Sequence, residues 1–254
     1  MTLEQHVALV TGAGSPTGIG FACAKGLANA GTAVMVTSTT DRIFERAEEL
    51  SSVGESVGFV ADLTDGSQAD DLVAEVVKHF GGLDIVINNA GMTSVGRPGF
   101  SAPFIETPTS KWRDALDRDL TSAFLVTRAA VPHLQSRGWG RIVNVASITG
   151  PVMAIRNDAA YAAGKAGMVG MTRALALDLA SSQITVNAVA PGWIGTGSAS
   201  DHENEMGLAT PAKRSGTPDE VAAAVVFLAS EGASYITGQM LVIDGGNSIM
   251  EERG

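Results

Sequence analysis

Short apolar runs rich in β-branched residues alternate along this chain with longer segments of helical pattern. The runs are continuously hydrophobic, which is typical of strands buried on both faces of a sheet. Strands are predicted at His6–Thr11, Ala33–Thr37, Ser56–Ala61, Leu83–Asn88, Arg141–Ala146, Thr185–Ala190 and Gln239–Ile243. Helices are predicted at Gly18–Ala30, Asp41–Ser52, Gly66–Phe80, Lys111–Gln135, Asp158–Ala180 and Pro218–Ser230. The alternation predicts an α/β fold with a doubly wound, seven-stranded parallel sheet, built as a single domain over residues 1–254.

Composition and charge narrow the possible partners. The chain carries 17 Lys and Arg against 27 Asp and Glu, a net charge of −10, which argues against nucleic acid because that partner needs a basic surface. No apolar run approaches the roughly 20 residues of a membrane helix. The first residues lack the basic flank and cleavage pattern of a signal peptide, so a cytoplasmic location is expected. Cys23 is the single cysteine and the four histidines lack ligand spacing, so no disulfide and no metal site is expected.

Two stretches lack a regular pattern. Residues 93–110 hold three prolines and two glycines, and residues 193–214 are rich in Gly, Ser and Ala. Both follow predicted strands at the ligand side of the sheet, and long loops in compact domains are usually functional. We therefore expect each of them to wall a substrate pocket.

A glycine-rich segment, Thr11–Gly20, follows the first strand and opens the first helix. Glycines let the backbone approach a phosphate closely, and the helix N-terminus then presents free N–H groups and a partial positive charge to the anion. Such a turn can also be a plain strand-to-helix connection, but the order strand, loop, helix favours dinucleotide binding. The predicted contacts here are Gly12, Ser15, Thr17, Gly18 and Ile19.

The end of the second strand indicates which dinucleotide is bound. Sites for NAD usually place an acidic residue there to bind the ribose 2′-hydroxyl, whereas this strand ends in Ser38, Thr39 and Thr40. Hydroxyl groups can bind a 2′-phosphate that a carboxylate would repel, and Arg42 could add a charge-assisted contact. We therefore predict NADP, with NAD as the alternative cofactor and Ser38 and Thr39 as contacts. The competing interpretation is that Ser38–Thr40 only cap the next helix.

A serine, a tyrosine and a lysine form the candidate catalytic group. Ser147 follows the fifth predicted strand, and Tyr161 and Lys165 lie four residues apart on one face of a predicted helix. A phenol with a pKa near ~10 is a poor base at neutral pH. An ammonium about 4 Å away contributes only ~1 kcal/mol in water but ~4 kcal/mol at an effective dielectric of 20. The pair would therefore work as a base in a cleft that partly excludes water, with Ser147 donating to a substrate oxygen.

Taken together, these motifs resemble the short-chain dehydrogenase/reductase family in its single-domain, Rossmann-like form. The resemblance runs nearly end to end. It is carried by the Thr11–Gly20 loop, Asp62-Leu63, Asn88–Gly91, Ser147, Tyr161 with Lys165, Pro191-Gly192 and the tail Ile236–Gly246. It implies an NAD(P)-dependent oxidoreductase, commonly a homotetramer whose two long central helices pack between subunits.

The resemblance also implies a role for individual residues. Tyr161 would be the general acid/base, Lys165 would bind the nicotinamide ribose and lower the tyrosine pKa, and Ser147 would orient the substrate oxygen. Asp62 would bind the adenine amino group. The other cofactor contacts that the resemblance implies are Leu63, Asn89, Ala90, Gly91, Pro191, Gly192, Ile194 and Thr196.

The chain departs from the family pattern at three places. Five residues rather than three separate Gly12 from Gly18, and the loop lacks the basic residue often present in NADP-binding members. Asp119 stands where the family usually has a catalytic asparagine; an aspartate there can still accept from water and maintain a proton relay, so Asp119 is kept as a catalytic candidate. The segment after Gly91 is several residues longer than usual and should reshape the substrate entrance.

Three functions remain open at this stage. The first is an NADP(H)-dependent oxidoreductase acting on a ketone/secondary-alcohol pair in a small free substrate. The second is a 3-oxoacyl-acyl-carrier-protein reductase, which the Thr37–Thr40 segment resembles, although the acidic chain offers little basic surface for an acidic carrier. The third is a non-catalytic dinucleotide-binding module. Candidate pocket residues are Thr93, Ser94, Thr149, Val152, Met153 and Trp193 with the 195–209 stretch, and they favour a neutral or aromatic substrate.

Overall fold

The central sheet of the computed structural model lies within the residues that it describes, 3–91 and 99–251. Its strands are β1 Val7–Val10, β2 Ala33–Ser38, β3 Ser56–Val60, β4 Ile85–Asn88, β5 Gly140–Val145, β6 Ile184–Pro191 and β7 Met240–Ile243. All neighbouring strands are parallel, in the order β3-β2-β1-β4-β5-β6-β7. The doubly wound seven-stranded sheet is confirmed, with every predicted strand placed to within two residues at its ends.

Helices cover both faces of the sheet. They are α1 Ile19–Asn29, α2 Arg42–Ser51, α3 Gly66–Phe80, α4 Thr109–Leu116, α5 Ser122–Arg137, α6 Ala159–Leu179, α7 Asp201–Leu208 and α8 Pro218–Leu228. Alternate side chains of β1 enter opposite layers: Ala8 and Val10 pack with α1, α2 and α8, whereas Val7 and Leu9 pack with α3, α5 and α6. Among the described residues, no helix is both long and apolar enough to span a membrane.

The strand order places the functional end of the fold. The chain leaves β1 in one direction towards β2 and β3 and returns to β4 on the other side of β1. A crevice opens at the carboxyl ends of the strands where such a sheet changes direction. Val10 pairs with Ile87 across β1 and β4, so the segments that follow these two strands meet at the crevice.

A π-helical turn, Asp117–Thr121, interrupts the segment predicted as one helix over Lys111–Gln135. Helix α4 ends where this turn begins and α5 begins where it ends, so the backbone is helical from Thr109 to Arg137 and the predicted helical segment is confirmed, with a π turn inside it. A π turn is one residue wider than an α turn and often lies at a functional site. Here it carries Asp119, only 2% exposed, inwards towards α6.

Helix α7 lies inside the stretch 193–214 that was predicted to be irregular. Ser200 Oγ accepts from the Glu203 N–H at 3.3 Å, and Glu203 Oε2 accepts from the Ser200 N–H at 2.7 Å. This reciprocal pair is a capping box, and it starts a helix in a segment whose Gly, Ser and Ala content suggests a loop. The prediction is therefore wrong for residues 201–208.

The other predicted loop, residues 93–110, is described from residue 99 onwards; Thr93 and Ser94 lie outside the described residues. A short 3₁₀ turn forms at Phe104–Glu106. The Ala102 N–H and the Ser101 hydroxyl both donate to the Asn157 carbonyl, at 3.0 and 3.2 Å. This segment is thereby held against the residues that lead into α6.

Candidate active site

One large cleft, with a volume of about 1740 Å³, lies at the carboxyl ends of the strands. That volume exceeds the roughly 300–1,000 Å³ of a pocket for one small ligand, so a dinucleotide and a substrate can share it. Nearly all the predicted site residues line this cleft: Gly12, Ser15, Thr17, Gly18, Ile19, Ser38, Thr39, Asp62, Leu63, Asn89, Ala90, Gly91, Ser147, Tyr161, Lys165, Pro191, Gly192, Ile194 and Thr196. Asp119 does not line the cleft and lies behind Lys165.

The glycine-rich loop is fixed to the end of β4. Thr11 Oγ1 accepts from the N–H groups of Asn89 and Ala90, both at 3.0 Å. Asn89 Nδ2 donates to the carbonyls of Thr11 and Gly12, at 3.1 and 3.0 Å. Gly12 has φ +69°, and a Cβ there would lie 2.8 Å from Ala90 Cα, so only glycine fits. The loop is therefore held rigidly beside the central strand before any ligand enters.

The first turn of α1 offers uncapped N–H groups to the cleft. Gly18 is the N-cap residue and supplies no side-chain hydrogen bond, and the first turn holds no acidic residue. Free N–H groups at a helix N-terminus suit a phosphate. Together with the glycine loop, this donor set fits the pyrophosphate of a dinucleotide, and Gly12, Ser15, Thr17, Gly18 and Ile19 are the residues that would hold it.

The end of β2 brings a cation and hydroxyl groups to the rim of the cleft. The Arg42 side chain lies across Gly14, where a Cβ would meet Arg42 Nε at 2.5 Å and Ser38 Cβ at 2.8 Å. Ser38 Oγ donates to the Thr40 carbonyl at 2.9 Å and accepts from the Thr40 N–H at 3.4 Å. Helix α2 has Asp41 as its N-cap residue, without a side-chain cap. The capping interpretation of Ser38–Thr40 therefore finds no support, and Ser38, Thr39 and Arg42 all line the cleft.

Asp62 and Leu63 follow β3 on the adenosine side of the cleft. Asp62 Oδ1 accepts from the N–H and the hydroxyl of Thr64, at 3.1 and 2.7 Å. The Asp62 N–H donates to Gln68 Oε1 at 2.9 Å. These bonds fix the orientation of the carboxylate, while buried Leu63 provides an apolar surface beside it.

The serine, tyrosine and lysine meet on one wall of the cleft. Ser147 Oγ accepts from the Thr149 N–H at 3.0 Å, and the Ser147 hydroxyl lies near enough to the Tyr161 phenol to lower its pKa. Lys165 Nζ donates to the Val145 carbonyl at 3.0 Å and lies 5.7 Å from the centre of the Tyr161 ring. The end of β5 supplies the carbonyl that holds Lys165, and Ser147 follows two residues later. Helix α6 supplies Tyr161 and Lys165.

The electrostatics of this wall differ from the expectation that Lys165 acidifies the tyrosine. Burial raises the pKa of Tyr161 above its usual value, the bond from Ser147 lowers it, and the charges of Asp119, Asp158 and Glu203 raise it further. Burial lowers the pKa of Lys165 and Asp119 raises it. Because Asp119 Oδ1 lies 3.8 Å from Lys165 Nζ, it offsets the positive charge that would favour a phenolate.

A buried amide and hydroxyl network supports the wall from behind. Asn88 Nδ2 donates to Asn144 Oδ1 at 2.8 Å and to Thr127 Oγ1 at 2.9 Å. Asn144 Nδ2 donates in turn to Thr172 Oγ1 at 2.8 Å. These bonds join β4, β5, α5 and α6, and they hold the strands and helices behind the wall together.

The far side of the cleft follows β6. Pro191, Gly192, Ile194 and Thr196 line it, and the Gly192 N–H donates to the Ile243 carbonyl at 2.9 Å. Sequence reasoning missed one contact here: the Gly197 N–H donates to Thr17 Oγ1 at 3.0 Å, across 180 residues of sequence. The glycine-rich loop and the segment after β6 are therefore tied together over the cleft.

The substrate end of the cleft combines predicted and unpredicted residues. Thr149, Met153 and Trp193 line it as predicted, whereas Val152 is 42% exposed and does not. Glu203 and Met206 belong to the predicted 195–209 stretch, whereas sequence reasoning missed Asp158, Asn247 and Met250. Asp158 carried a signal, since it lies three residues before Tyr161. No group of three potential metal ligands occurs within 3–91 and 99–251.

Comparison with known proteins agrees with this architecture. A family model described as enoyl-(acyl carrier protein) reductase matches residues 12–248. The chain belongs to the short-chain dehydrogenase/reductase family. Nodulation protein G of Azospirillum brasilense is 38% identical over 96% of this chain and 98% of its own length. The 3-oxoacyl-(acyl-carrier-protein) reductase FabG of Vibrio cholerae is also 38% identical, over 97% and 98%.

Two further similarities come from dehydrogenases. The cis-4-hydroxycyclohexanecarboxylate dehydrogenase of Sinomonas cyclohexanicum is 38% identical over 95% of this chain and 96% of its own. A crystal structure of a candidate NAD(P)-dependent gluconate 5-dehydrogenase from Beutenbergia cavernae, with NADP bound at low occupancy, superposes with a TM-score of 0.89 at 38% identity, covering 98% and 99% of the chains. This chain is accordingly an NAD(P)-dependent oxidoreductase acting on CH–OH or keto groups.

Two departures from the short-chain dehydrogenase/reductase pattern now have a structural context. The longer glycine-rich loop ends in Thr17, which makes the contact with Gly197. Asp119, in place of the usual asparagine, is buried beside Lys165 at the π turn. Both departures change the surroundings of the reacting groups rather than the groups themselves.

Proposed function

We propose that this chain transfers a hydride between NADP(H) and the ketone/secondary-alcohol pair of a small free substrate. Tyr161 acts as the general acid/base, and Ser147 orients and polarises the substrate oxygen. The observation that carries the proposal is the convergence of Ser147, Tyr161 and Lys165 on one wall of a cleft that can hold a dinucleotide. When bound, the cofactor supplies or accepts the hydride at the substrate carbon.

The residues of the chain divide the remaining work. The Tyr161 hydroxyl, which lines the cleft together with Ser147, gives a proton to the substrate oxygen in reduction and takes one back in oxidation. The raised pKa of Tyr161 keeps the phenol protonated at neutral pH, which suits the reductive direction. Lys165 binds the nicotinamide ribose and holds positive charge near the phenol. Asp119 balances that charge and takes the place of the family asparagine in a proton relay.

The choice of NADP rests on the end of β2. Arg42 lies across Gly14 beside Ser38, and no acidic side chain stands at the strand end. A guanidinium binds a phosphate by charge-assisted hydrogen bonds, while a carboxylate at this place would select the free hydroxyl of NAD. Cofactor preference is measured from kcat/KM with NADPH and with NADH.

A small substrate is proposed ahead of a carrier-bound one. The relatives described as 3-oxoacyl-(acyl-carrier-protein) reductases favour the second candidate function, the reduction of an acyl chain on an acidic carrier protein. Against it stands the charge of −10. Arg137, the basic residue expected near a docking face, already donates to Asp84 Oδ1 at 2.8 Å. Tight, salt-sensitive binding of an acidic carrier protein would make the second candidate the correct one.

The deciding experiment compares the two tyrosines of the chain. Tyr161→Phe removes the proposed acid/base, and Tyr235→Phe removes a hydroxyl from a fully exposed ring elsewhere. NADPH oxidation is followed at ~340 nm over a panel of ketones. General acid/base catalysis contributes roughly 10²–10⁴-fold, so we expect Tyr161→Phe to lose at least ~100-fold in turnover. NADPH affinity should change by less than about threefold in both variants.

Two results would refute this function. Equal turnover in the two variants would remove Tyr161 from the mechanism. The other result is that the unmodified chain binds NADPH tightly but neither reduces any ketone nor oxidises any alcohol. That result would favour the non-catalytic dinucleotide-binding module.

We further propose a homotetramer in the cytoplasm, with residues 93–110 and 193–214 as substrate loops of one catalytic domain. Phe124 on α5 and Leu177 on α6 are 46% and 83% exposed. Gly170 has open space where a Cβ would stand, so a second copy could approach α6 closely. Light scattering after size-exclusion chromatography measures the number of copies, and a monomer would contradict the assembly.

A further inference from the structure

Asp158 has an unusual role at the start of α6. It occupies the N-cap position, where an aspartate normally accepts from a first-turn N–H, yet its side chain makes no capping bond. Asp65 at the start of α3 shows the ordinary arrangement, because its carboxylate accepts from the Ser67 N–H at 2.9 Å. The backbone explains the difference: Asn157 is left-handed at φ +66°, and Asp158 has φ −128° and ψ 37° rather than the extended cap conformation.

The Asp158 side chain is instead available to the cleft. It lines the cleft with Tyr161, is half-buried, and has no hydrogen bond or ion pair with any residue in the described part of the chain. Its charge acts on Tyr161. Burial and the nearby charge of Asp119 raise the pKa of Asp158, so this carboxylate has no compensating cation from the protein and would gain from one on a ligand.

The buried cations that line the cleft, Lys165 and Arg118, each face a carboxylate: Asp119 Oδ1 lies 3.8 Å from Lys165 Nζ, and Asp114 Oδ2 lies 3.2 Å from Arg118 Nη2. The charges that act on Tyr161 are those of Asp119, Asp158 and Glu203. Glu203 is engaged in its capping box with Ser200. Lys213 also lines the cleft, but it is exposed beyond α7 and is not among the groups that act on Tyr161.

We propose that Asp158 is a specificity-determining residue that binds an ammonium group of the substrate, so that the preferred substrates are vicinal amino alcohols and the corresponding α-amino ketones. Asp158 and Tyr161 line the same cleft, and they are near enough for the charge of Asp158 to act on the Tyr161 phenol. A substrate whose oxygen meets Tyr161 can therefore carry an ammonium group that meets Asp158. This inference rests on the proposed oxidoreductase function and further specifies that the preferred substrate is cationic.

The test uses three alcohols with the same frame and different charge. They are 2-amino-1-phenylethanol, which is cationic, 1-phenyl-1,2-ethanediol, which is neutral, and mandelate, which is anionic. Oxidation by NADP⁺ is measured for the unmodified chain, for Asp158→Asn and for Asp65→Asn. The last variant removes the same charge from an N-cap outside the cleft, where asparagine caps equally well.

For the unmodified chain we expect kcat/KM to fall in the order amino alcohol, diol, mandelate. Charge-assisted hydrogen bonds are about twice as strong as neutral ones, so Asp158→Asn should lower kcat/KM for the amino alcohol at least ~10-fold. The same variant should change the value for the diol by less than ~3-fold and raise that for mandelate. Asp65→Asn should leave all three ratios unchanged. A merely structural role of Asp158 would instead lower all three values together.

The outcomes separate the two proposals. The role of Asp158 is overturned if a neutral alcohol such as the diol is oxidised as efficiently as the amino alcohol. It is also overturned if Asp158→Asn lowers kcat/KM equally for all three substrates. In both cases the oxidoreductase function stands. Absence of oxidation or reduction with every alcohol and ketone tested overturns the oxidoreductase function, and the role of Asp158 falls with it.

Discussion

Replacing Asp119 with asparagine tests how the buried lysine is kept charged. The carboxylate of Asp119 and the ammonium of Lys165 are 3.8 Å apart, and both side chains are at most 5% exposed. At an effective dielectric of ~20, two unit charges at that distance attract by about 4 kcal/mol. Asp119→Asn should therefore lower the pKa of Lys165 further than burial already does, because Asp119 is the charge that raises it.

The same substitution acts on Tyr161 in the same direction. The negative charge of Asp119 raises the pKa of Tyr161, so its removal favours the phenolate and lowers that pKa. The effect is smaller than that of burial, which is the main cause of the raised value. Since activity in oxidation needs an ionisable phenol and a charged lysine, both limbs of the pH profile should move to lower pH.

The assay is the pH dependence of kcat/KM for alcohol oxidation at saturating NADP⁺. Asp117→Asn is the matched control, because Asp117 lies in the same π turn with an exposed side chain, whose Oδ1 accepts from the Thr121 hydroxyl at 3.2 Å. Its profile should coincide with that of the unmodified chain. A profile of Asp119→Asn that stays in place or moves to higher pH, in a variant with an unchanged melting temperature, would refute the electrostatic pairing.

Three further results are expected. Arg42→Met should lower kcat/KM for NADPH by roughly 10–100-fold and leave that for NADH within about threefold, since it removes a charge-assisted phosphate contact; steady-state rates with both cofactors check this. Burial raises the pKa of Cys23 to about 12, so Ellman's reagent at pH 8 should label it only after denaturation. Arg141→Met should cost about 2 kcal/mol in urea unfolding, because the carbonyls of Ser230 and Gly140 lose their buried donor.

The sheet could be predicted because its strands are buried on both faces. A run such as Ile85–Ile87 has to be apolar throughout, and such a run can be recognised from the local sequence without knowledge of tertiary contacts. Helix α7 was missed although the pair Ser200 and Glu203 carries the spacing of a capping box. The π turn had no comparable signal, since its place depends on the approach of Asp119 to Lys165 from another helix.

The candidate site divides along similar lines. The glycine-rich loop and the Ser147, Tyr161 and Lys165 group could be found because their spacing is set by one strand end or one helix face. The direction in which the Tyr161 pKa is shifted could not be predicted, because it depends first on burial and then on carboxylates from three different segments. The contact of Thr17 with Gly197 joins two segments that are 180 residues apart, and neither segment carries a sequence pattern that indicates it.

The distribution of charge along the cleft explains how an acidic chain can serve a highly anionic cofactor. Net charge acts at long range, where salt screens it within roughly 8 Å, whereas recognition depends on the groups that touch the ligand. At the adenosine end these are Arg42 and the uncapped N-terminus of α1. At the substrate end Asp119 offsets Lys165, and Asp158 remains uncompensated. A phosphate is therefore favoured beside Arg42 and the start of α1 and disfavoured beside Asp158.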